Sequence, residues 1–359
     1  MEQYWRALEV LLRYTQQSMH MEETTVLFIW KPREELESYL RKGLDTIENL
    51  RIVVPNEESE EEYLKHAKEA NIVVGWRPTR EFLDAAENLR LFINPGVGVQ
   101  HHIEPFRELV KNRDVVLVNG HGNTYFTAQH AVALLLALTN KIVPHHNWMA
   151  EGLWRRGDNY SKSKPLRDRN VGLLGYGAVN RKVHRFLSGF QVNFHVCKTS
   201  WEKRLDELPT PIKKYSPEQL DDFLQEIDTL IVAVPQTRKT TGHIGSRELK
   251  LLGTDGLVVN IARGPIIDEK ALYNALKNRT ISGAAIDVWY EYRPEPDENN
   301  RKYPYHYAFH ELDNVVLSPH RGASPMDDLA RWDEVIDNIT RFASGRTDFL
   351  NVVDLDREY

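Results

Sequence analysis

Residues 169–183 read RNVGLLGYGAVNRKV. An apolar run, VGLL, ends on Gly175, and a helical pattern opens near Ala178. Strand, glycine turn, helix is the order of a phosphate-binding turn at the head of a βα unit. Such a turn uses three glycines. The first allows the sharp bend, the second lets backbone amides approach a pyrophosphate, and the third allows close helix–strand packing. Gly175 and Gly177 take the first two places, and Asn180 takes the third. Two glycines of three do not separate a nucleotide loop from an ordinary βα turn. The departure touches packing more than phosphate contact, so a dinucleotide remains the expected ligand.

Outward from this turn, short apolar runs alternate with helical patterns on both sides. TVLFIW (25–30), RIVVP (51–55), NIVVGW (71–76), RLFINPG (90–96) and VVLVNG (115–120) precede it. QVNFHV, DTLIVAVP, GLVVNIARG, ISGAAIDV and NVVLSPH follow it. Runs of this length and composition are expected of buried parallel strands. Two such series predict an α/β protein with two Rossmann-like, doubly wound parallel sheets. The acidic stretch NEESEEEYLKHA reads as a solvated helix face. Residues 124–149 read as one long apolar helix, packed between domains or subunits. Residues 1–14 read as a short amphipathic helix, and the last helix is expected at roughly 326–344.

Composition narrows the class. The 359 residues are ample for two domains, and the net charge of -6 gives no electrostatic reason to expect nucleic acid or an anionic membrane. The single cysteine, Cys197, makes no internal disulfide, which favours a reducing interior. The longest apolar run, AVALLLAL, falls far short of the roughly 20 residues of a membrane span. The N-terminus is charged from its second residue and lacks a signal-peptide pattern, so a cytoplasmic location is expected. His145 and His146 are adjacent on a helical pattern and point to different faces, so no metal is expected.

The strand end near residue 197 reads HVCKTS. An NAD site usually carries an acid about 20 residues after the glycine turn, to bond the ribose hydroxyls. Lys198, Thr199 and Ser200 stand there instead. They suit a 2′-phosphate, so the expected cofactor, NAD or NADP, tilts toward NADP.

Five segments carry a more specific likeness: NPGVGV (94–99), TAQHAVALLLAL (127–138), VAVPQTRKTTGHI (232–244), NIARGPIIDEKALYNALKNRTISGAAIDVW (260–289) and NVVLSPHRGAS (314–324). In content and order they resemble the D-isomer-specific 2-hydroxyacid dehydrogenases, over nearly the whole chain. The resemblance implies two domains with a cleft between them: a flavodoxin-like substrate domain at 1–123 plus 323–359, and a nucleotide domain at 124–322. It implies hydride transfer between nicotinamide and a small 2-hydroxy/2-keto acid, and a homodimer using the long helix.

Roles follow by likeness. Arg263 would hold the substrate carboxylate and keto oxygen, with a planar fork suited to it. His320 would exchange the hydroxyl proton. The amides of Gly96, Val97 and Gly98 would cradle the carboxylate. The cofactor would be lined by Gly175, Tyr176, Gly177, Ala178, Val179, Lys198, Thr199, Val234, Pro235, Ile261, Ala262, Asp287 and His320. Hydroxyacid relatives place a glutamate five residues after the aspartate to favour the protonated histidine. Here that position is Tyr292, with Glu291 before it and Glu295 three after. Tyr292 keeps the spacing and is expected in the slot; Glu291 is the competing candidate. The missing glutamate leaves a formate-like dehydrogenase as one alternative. A dinucleotide-sensing, corepressor-like protein is another, suggested by Asn180, Val196 and Tyr292.

Overall fold

The computed structural model describes residues 23–359 except 158, 203–207, 324 and 326. The helix expected at 1–14 lies outside the described residues. Two compact units are present. One comprises the described residues up to Gly122 together with Leu329–Glu358, and the other is Asn123–Asp328.

The first unit is built on five parallel strands: β1 (Thr24–Phe28), β2 (Leu50–Val53), β3 (Ile72–Val74), β4 (Leu91–Asn94) and β5 (Val116–Asn119). Their order is β2-β1-β3-β4-β5. Strands β3 and β4 are buried throughout, as their unbroken apolar runs require. The C-terminal tail closes this sheet, with Val118 bridging antiparallel to Val352. Helix α1 (Glu34–Leu44) packs beside a C-terminal helix, α11 (Asp333–Ala343), which starts later than the expected 326. In the acidic stretch, α2 (Glu60–Ala67) is capped by Ser59. Glu61 faces solvent, but Glu62 is buried, accepting from Asn56 and Lys65.

The second unit has seven parallel strands: β6 (Asn170–Leu174), β7 (Asn193–Cys197), β8 (Ile212–Tyr215), β9 (Thr229–Val232), β10 (Leu257–Asn260), β11 (Gly283–Ile286) and β12 (Val315–Leu317). Their order is β12-β11-β10-β9-β6-β7-β8, which reverses direction between β6 and β9. The crevice at such a switch point is where open α/β sheets bind ligands. Strand β8, IKKY, had no sequence signal. It is an edge strand with two exposed lysines, and edge strands are commonly charged.

The long helix predicted over 124–149 is instead two helices, Thr124–Thr139 (α5) and Ile142–Ala150 (α6), bent by 63°. Lys141 between them is left-handed, at φ 51°. Pro144 has no N–H to continue the ladder, and it sits in the first turn of α6, where that loss is tolerated. Helix α5 packs on the helix after β6 and on β10–β12, whereas α6 has no buried residue.

Candidate active site

In the second unit the glycine turn joins β6 to α7 (Ala178–Leu187). Gly175 has φ +81°, and a Cβ there would lie 2.8 Å from both the Ala233 carbonyl oxygen and Val234 Cγ1. Only glycine fits that close approach. Gly177 is the N-cap of α7 and provides no side-chain cap; a Cβ on it would meet nothing within 4 Å. The amides of Tyr176, Gly177 and Ala178 donate to no protein acceptor among the described residues. Open space over uncapped amides at a helix N-terminus fits a dinucleotide phosphate.

Asn180 is fully buried. Its Nδ2 donates to Gly175 O at 2.7 Å, and more loosely to Leu174 O and Ile231 O at 3.3 and 3.4 Å. Where a glycine would bring helix and strand together by smallness, the amide ties the turn's carbonyls inward. Tyr176 folds under the turn, with its hydroxyl 2.6 Å from His184 Nδ1, and His184 Nε2 reaches Thr210 Oγ1 at 2.8 Å. Burial drops the His184 pKa to about 4, so this ring is neutral.

At the end of β7, Lys198 and Lys214 lie over the Trp201 ring at 5.0 and 5.1 Å from its centre, and Trp201 Nε1 donates to Tyr215 O. Desolvation first, then Arg181 and Lys214, lowers the Lys198 pKa. Three cations thus share the strand end where an NAD enzyme carries an acid. Thr199 is exposed beside them, and Val234 packs on Gly175, with Pro235 following. Ile261 and Ala262 are buried.

Arg263 follows β10 in a turn braced by Asn260. Asn260 Oδ1 accepts from Ala262 N, and its Nδ2 donates to Arg263 O, both at 3.1 Å. Burial lowers the arginine's pKa, with Tyr292 opposing. His320 follows β12 in a left-handed conformation, φ 58°, which is strained for a non-glycine residue. Asp287 holds its loop. Asp287 Oδ1 accepts from Ser318 Oγ at 2.5 Å and Arg321 N at 2.7 Å, and Oδ2 accepts from Gly322 N at 2.9 Å. His130 Nε2 stands 2.9 Å from Ser318 Oγ and 3.3 Å from the same Asp287 oxygen. The Asp287 carboxylate is therefore engaged with the histidine loop rather than open to a ligand.

Tyr292 Oη is 2.8 Å from His320 Nδ1. The turn that delivers it is clasped by Tyr290 N and Glu291 N, both donating to Pro304 O. Glu291 points away, its carboxylate accepting from Arg293 N at 2.6 Å. The structure brings Arg263, Tyr292 and His320 together and leaves Glu291 outside. Desolvation and then Arg263 lower the His320 pKa, with Asp287 opposing.

In the first unit, the loop after β4 carries Gly96–Gly98. Asn94 Nδ2 donates to Gly96 O at 2.5 Å and Gly98 O at 3.3 Å, and Asn119 Nδ2 donates to Val97 O at 2.7 Å. All three carbonyls are drawn inward. The three amides donate to no protein acceptor among the described residues, which leaves them available to an anion. Asn94 Oδ1 must accept, so His102 Nε2, 3.2 Å away, carries a proton. Burial holds that ring neutral, with its pKa down at about 3. Trp76 packs beside Gly96 and is 41 % exposed, with left-handed Arg77 next to it.

Sequence reasoning passed over Asn94, Asn119, Asn260, His130, Lys214 and Trp201. An asparagine at a strand end just before a glycine loop or an arginine turn, as at Asn94 and Asn260, is the signal that was available.

The family model for the "D-isomer specific 2-hydroxyacid dehydrogenase, NAD binding domain" matches residues 132–322. A D-3-phosphoglycerate dehydrogenase of Archaeoglobus fulgidus is 31% identical over 87% of this chain, which spans 56% of that longer protein. A glyoxylate reductase of Pyrococcus furiosus is also 31% identical, over 83% of this chain and 88% of its own length. The structure of an NADPH-dependent glyoxylate/hydroxypyruvate reductase from Sinorhizobium meliloti, in complex with NADP and malonate, superposes with a TM-score of 0.72. It is 25% identical and covers 93% of this chain and 98% of its own. The chain belongs to the D-isomer-specific 2-hydroxyacid dehydrogenases, NAD(P)-dependent oxidoreductases built on two Rossmann-like parallel-sheet domains.

Proposed function

We propose that this protein reduces a small 2-keto acid, with Arg263 and His320 acting on the substrate and Tyr292 orienting the histidine. The observation that carries this reading is the Arg263–Tyr292–His320 cluster, with Tyr292 Oη 2.8 Å from His320 Nδ1. Arg263 presents a planar cation for the carboxylate and the carbonyl oxygen. His320 exchanges the proton at that oxygen through Nε2, since Nδ1 is taken. A bound dinucleotide supplies the hydride. In this reading the second unit is the nucleotide domain, and the first is the substrate domain, offering the amides of Gly96, Val97 and Gly98 to a carboxylate. Retention of both Arg263 and His320 favours an enzyme over a sensor.

The reduced partner is NADPH in this reading. Arg181, Lys198 and Lys214 supply positive charge where NAD enzymes carry an acid, and the Sinorhizobium meliloti relative is NADPH-dependent. The protein is a homodimer through α6 and the segment after it. There Ile142, Met149 and Trp154 are 55, 56 and 69% exposed. Apolar exposure of this extent on a helix with no buried residue needs a cover. A buried free thiol, Cys197, suits a cytoplasmic location.

The test is NADPH and NADH oxidation across glyoxylate, hydroxypyruvate, pyruvate and phenylpyruvate, with formate and NADP in the reverse sense. Turnover of at least one keto acid is expected. Turnover of formate alone favours a formate-like enzyme, and dinucleotide binding without any turnover favours a sensor.

A further inference from the structure

The hydrogen bonds around Tyr292 have a direction. Trp289 N lies 3.3 Å from Tyr292 Oη, and a backbone N–H can only donate. The phenol oxygen therefore accepts from Trp289, which leaves its own single hydrogen available to His320 Nδ1 at 2.8 Å. A neutral imidazole whose Nδ1 accepts carries its proton on Nε2. A carboxylate in the same place would accept from Nδ1–H and leave Nε2 bare. A phenol that donates in that place thus goes with the opposite tautomer of the histidine.

We propose that Tyr292 is the proton source behind His320, holding the neutral ring as its Nε2–H tautomer and refilling that proton through Nδ1. The proposal rests on the keto-acid reductase reading. As the substrate carbonyl becomes an alkoxide, the Nε2–H bond breaks and an O–H bond forms on the substrate. In the same motion the Tyr292 O–H bond breaks and an Nδ1–H bond forms. The histidine stays neutral throughout, and the negative charge leaves the substrate for the phenolate. Hydroxyacid oxidation runs the same transfers backwards. Tyr292 acts through His320 and does not itself touch the substrate.

Three features support the relay. Burial raises the Tyr292 pKa overall, and the Trp289 N–H and the Arg263 guanidinium, which a phenolate would keep and face, oppose that rise. Tyr292 is 50 % exposed, so water can return its proton between turnovers. The charged and titratable groups facing His320 are Arg263, Asp287 and Tyr292, and desolvation and Arg263 together outweigh Asp287, making the imidazolium scarce at neutral pH. A phenol is also a stronger acid than the alcohol being formed, so the net transfer runs downhill.

The test combines imidazole 15N NMR of the full chain with pH–rate profiles of keto-acid reduction, using Tyr292→Phe and Tyr292→Glu. His320→Gln identifies the His320 resonances. The expected result is a neutral ring protonated at Nε2 in the wild type and at Nδ1 in Tyr292→Glu. Wild-type reduction should hold level as His320 loses its charge, whereas Tyr292→Phe should fall at least tenfold over the same pH span. A proton on Nδ1 in the wild type overturns the relay, as does a Tyr292→Phe profile that matches the wild type. Wild-type protein that reduces no keto acid at any pH, with Nε2–H intact, removes the reductase reading and with it the transfer step.

Discussion

Two loops in separate units solve one problem by different routes. Around Gly96–Gly98, Asn94 and Asn119 pull three carbonyls inward, and the amides are left outward. Around Gly175–Gly177, Asn180 pulls on Gly175 O and the neighbouring strand ends. Each loop is also backed by a buried, neutral histidine, His102 in the first and His184 in the second. The difference lies in how the asparagine is finished. Asn94 Oδ1 accepts from His102, whereas Asn180 Oδ1 is buried without a hydrogen-bond partner. The third glycine of the fingerprint is thus exchangeable for a side chain that reaches the same backbone, at the cost of one unsatisfied acceptor.

The two loops differ most at Asn180. Asn180→Asp would set a carboxylate against three carbonyl oxygens in a fully buried site. A loss of about 3–5 kcal/mol is expected, read by denaturant unfolding. A near-neutral result would mean the site opens to water and the brace is not structural. Asn94→Ala removes two donors and strands the His102 N–H. About 1–3 kcal/mol of stability should go, with a lower kcat/KM for keto acid and unchanged dinucleotide affinity. Weakened dinucleotide binding in that variant would contradict the division of labour between the loops.

Lys198→Glu addresses only the second loop's strand end. It should shift preference from NADP toward NAD by roughly 10- to 100-fold, from about 1.5–3 kcal/mol of charged hydrogen bonding. If the wild type already prefers NAD widely, the cationic cluster is irrelevant to the choice.

A further expected effect, spread over several pH units, is on acid stability. His102 and His184 are neutral when folded and protonate more readily when unfolded, so the unfolded chain binds more protons below pH 6.5. Stability should therefore fall as pH drops from about 6.5. The His184 contribution is exhausted near pH 4 and that of His102 near pH 3. His102→Gln should flatten the lower part of that decline. An unchanged slope would mean that His102 is not titrating with the fold.

Much of this was legible in the sequence because parallel strands announce themselves as apolar runs. The ten runs quoted, together with the run ahead of Gly175, overlap eleven of the twelve strands. Strand β8 was invisible because an edge strand of four residues with two exposed lysines has no apolar period. The break at Lys141 was missed because apolarity continues across it, while the bend is a backbone event at one left-handed residue. At the site, Arg263 and His320 stood out as polar residues just past apolar strands. The braces did not, since an asparagine's reach to carbonyls in other segments is a property of the fold. Spacing alone left Tyr292 and Glu291 in competition, and the clasp of their turn to Pro304 O separates them in space.

In the proposed reading, phosphate binding and chemistry reside in different residues: the Gly175–Gly177 turn for the first, Arg263 and His320 for the second. Calorimetric titration with NADPH and NADP, beside keto-acid turnover, in wild type and Arg263→Ala tests it most directly. Heat of binding with similar affinity is expected in both proteins, with a fall in turnover of about 10²–10³-fold in the variant. No heat with any dinucleotide in the wild type, or an Arg263→Ala variant that loses affinity while keeping its turnover, would contradict it.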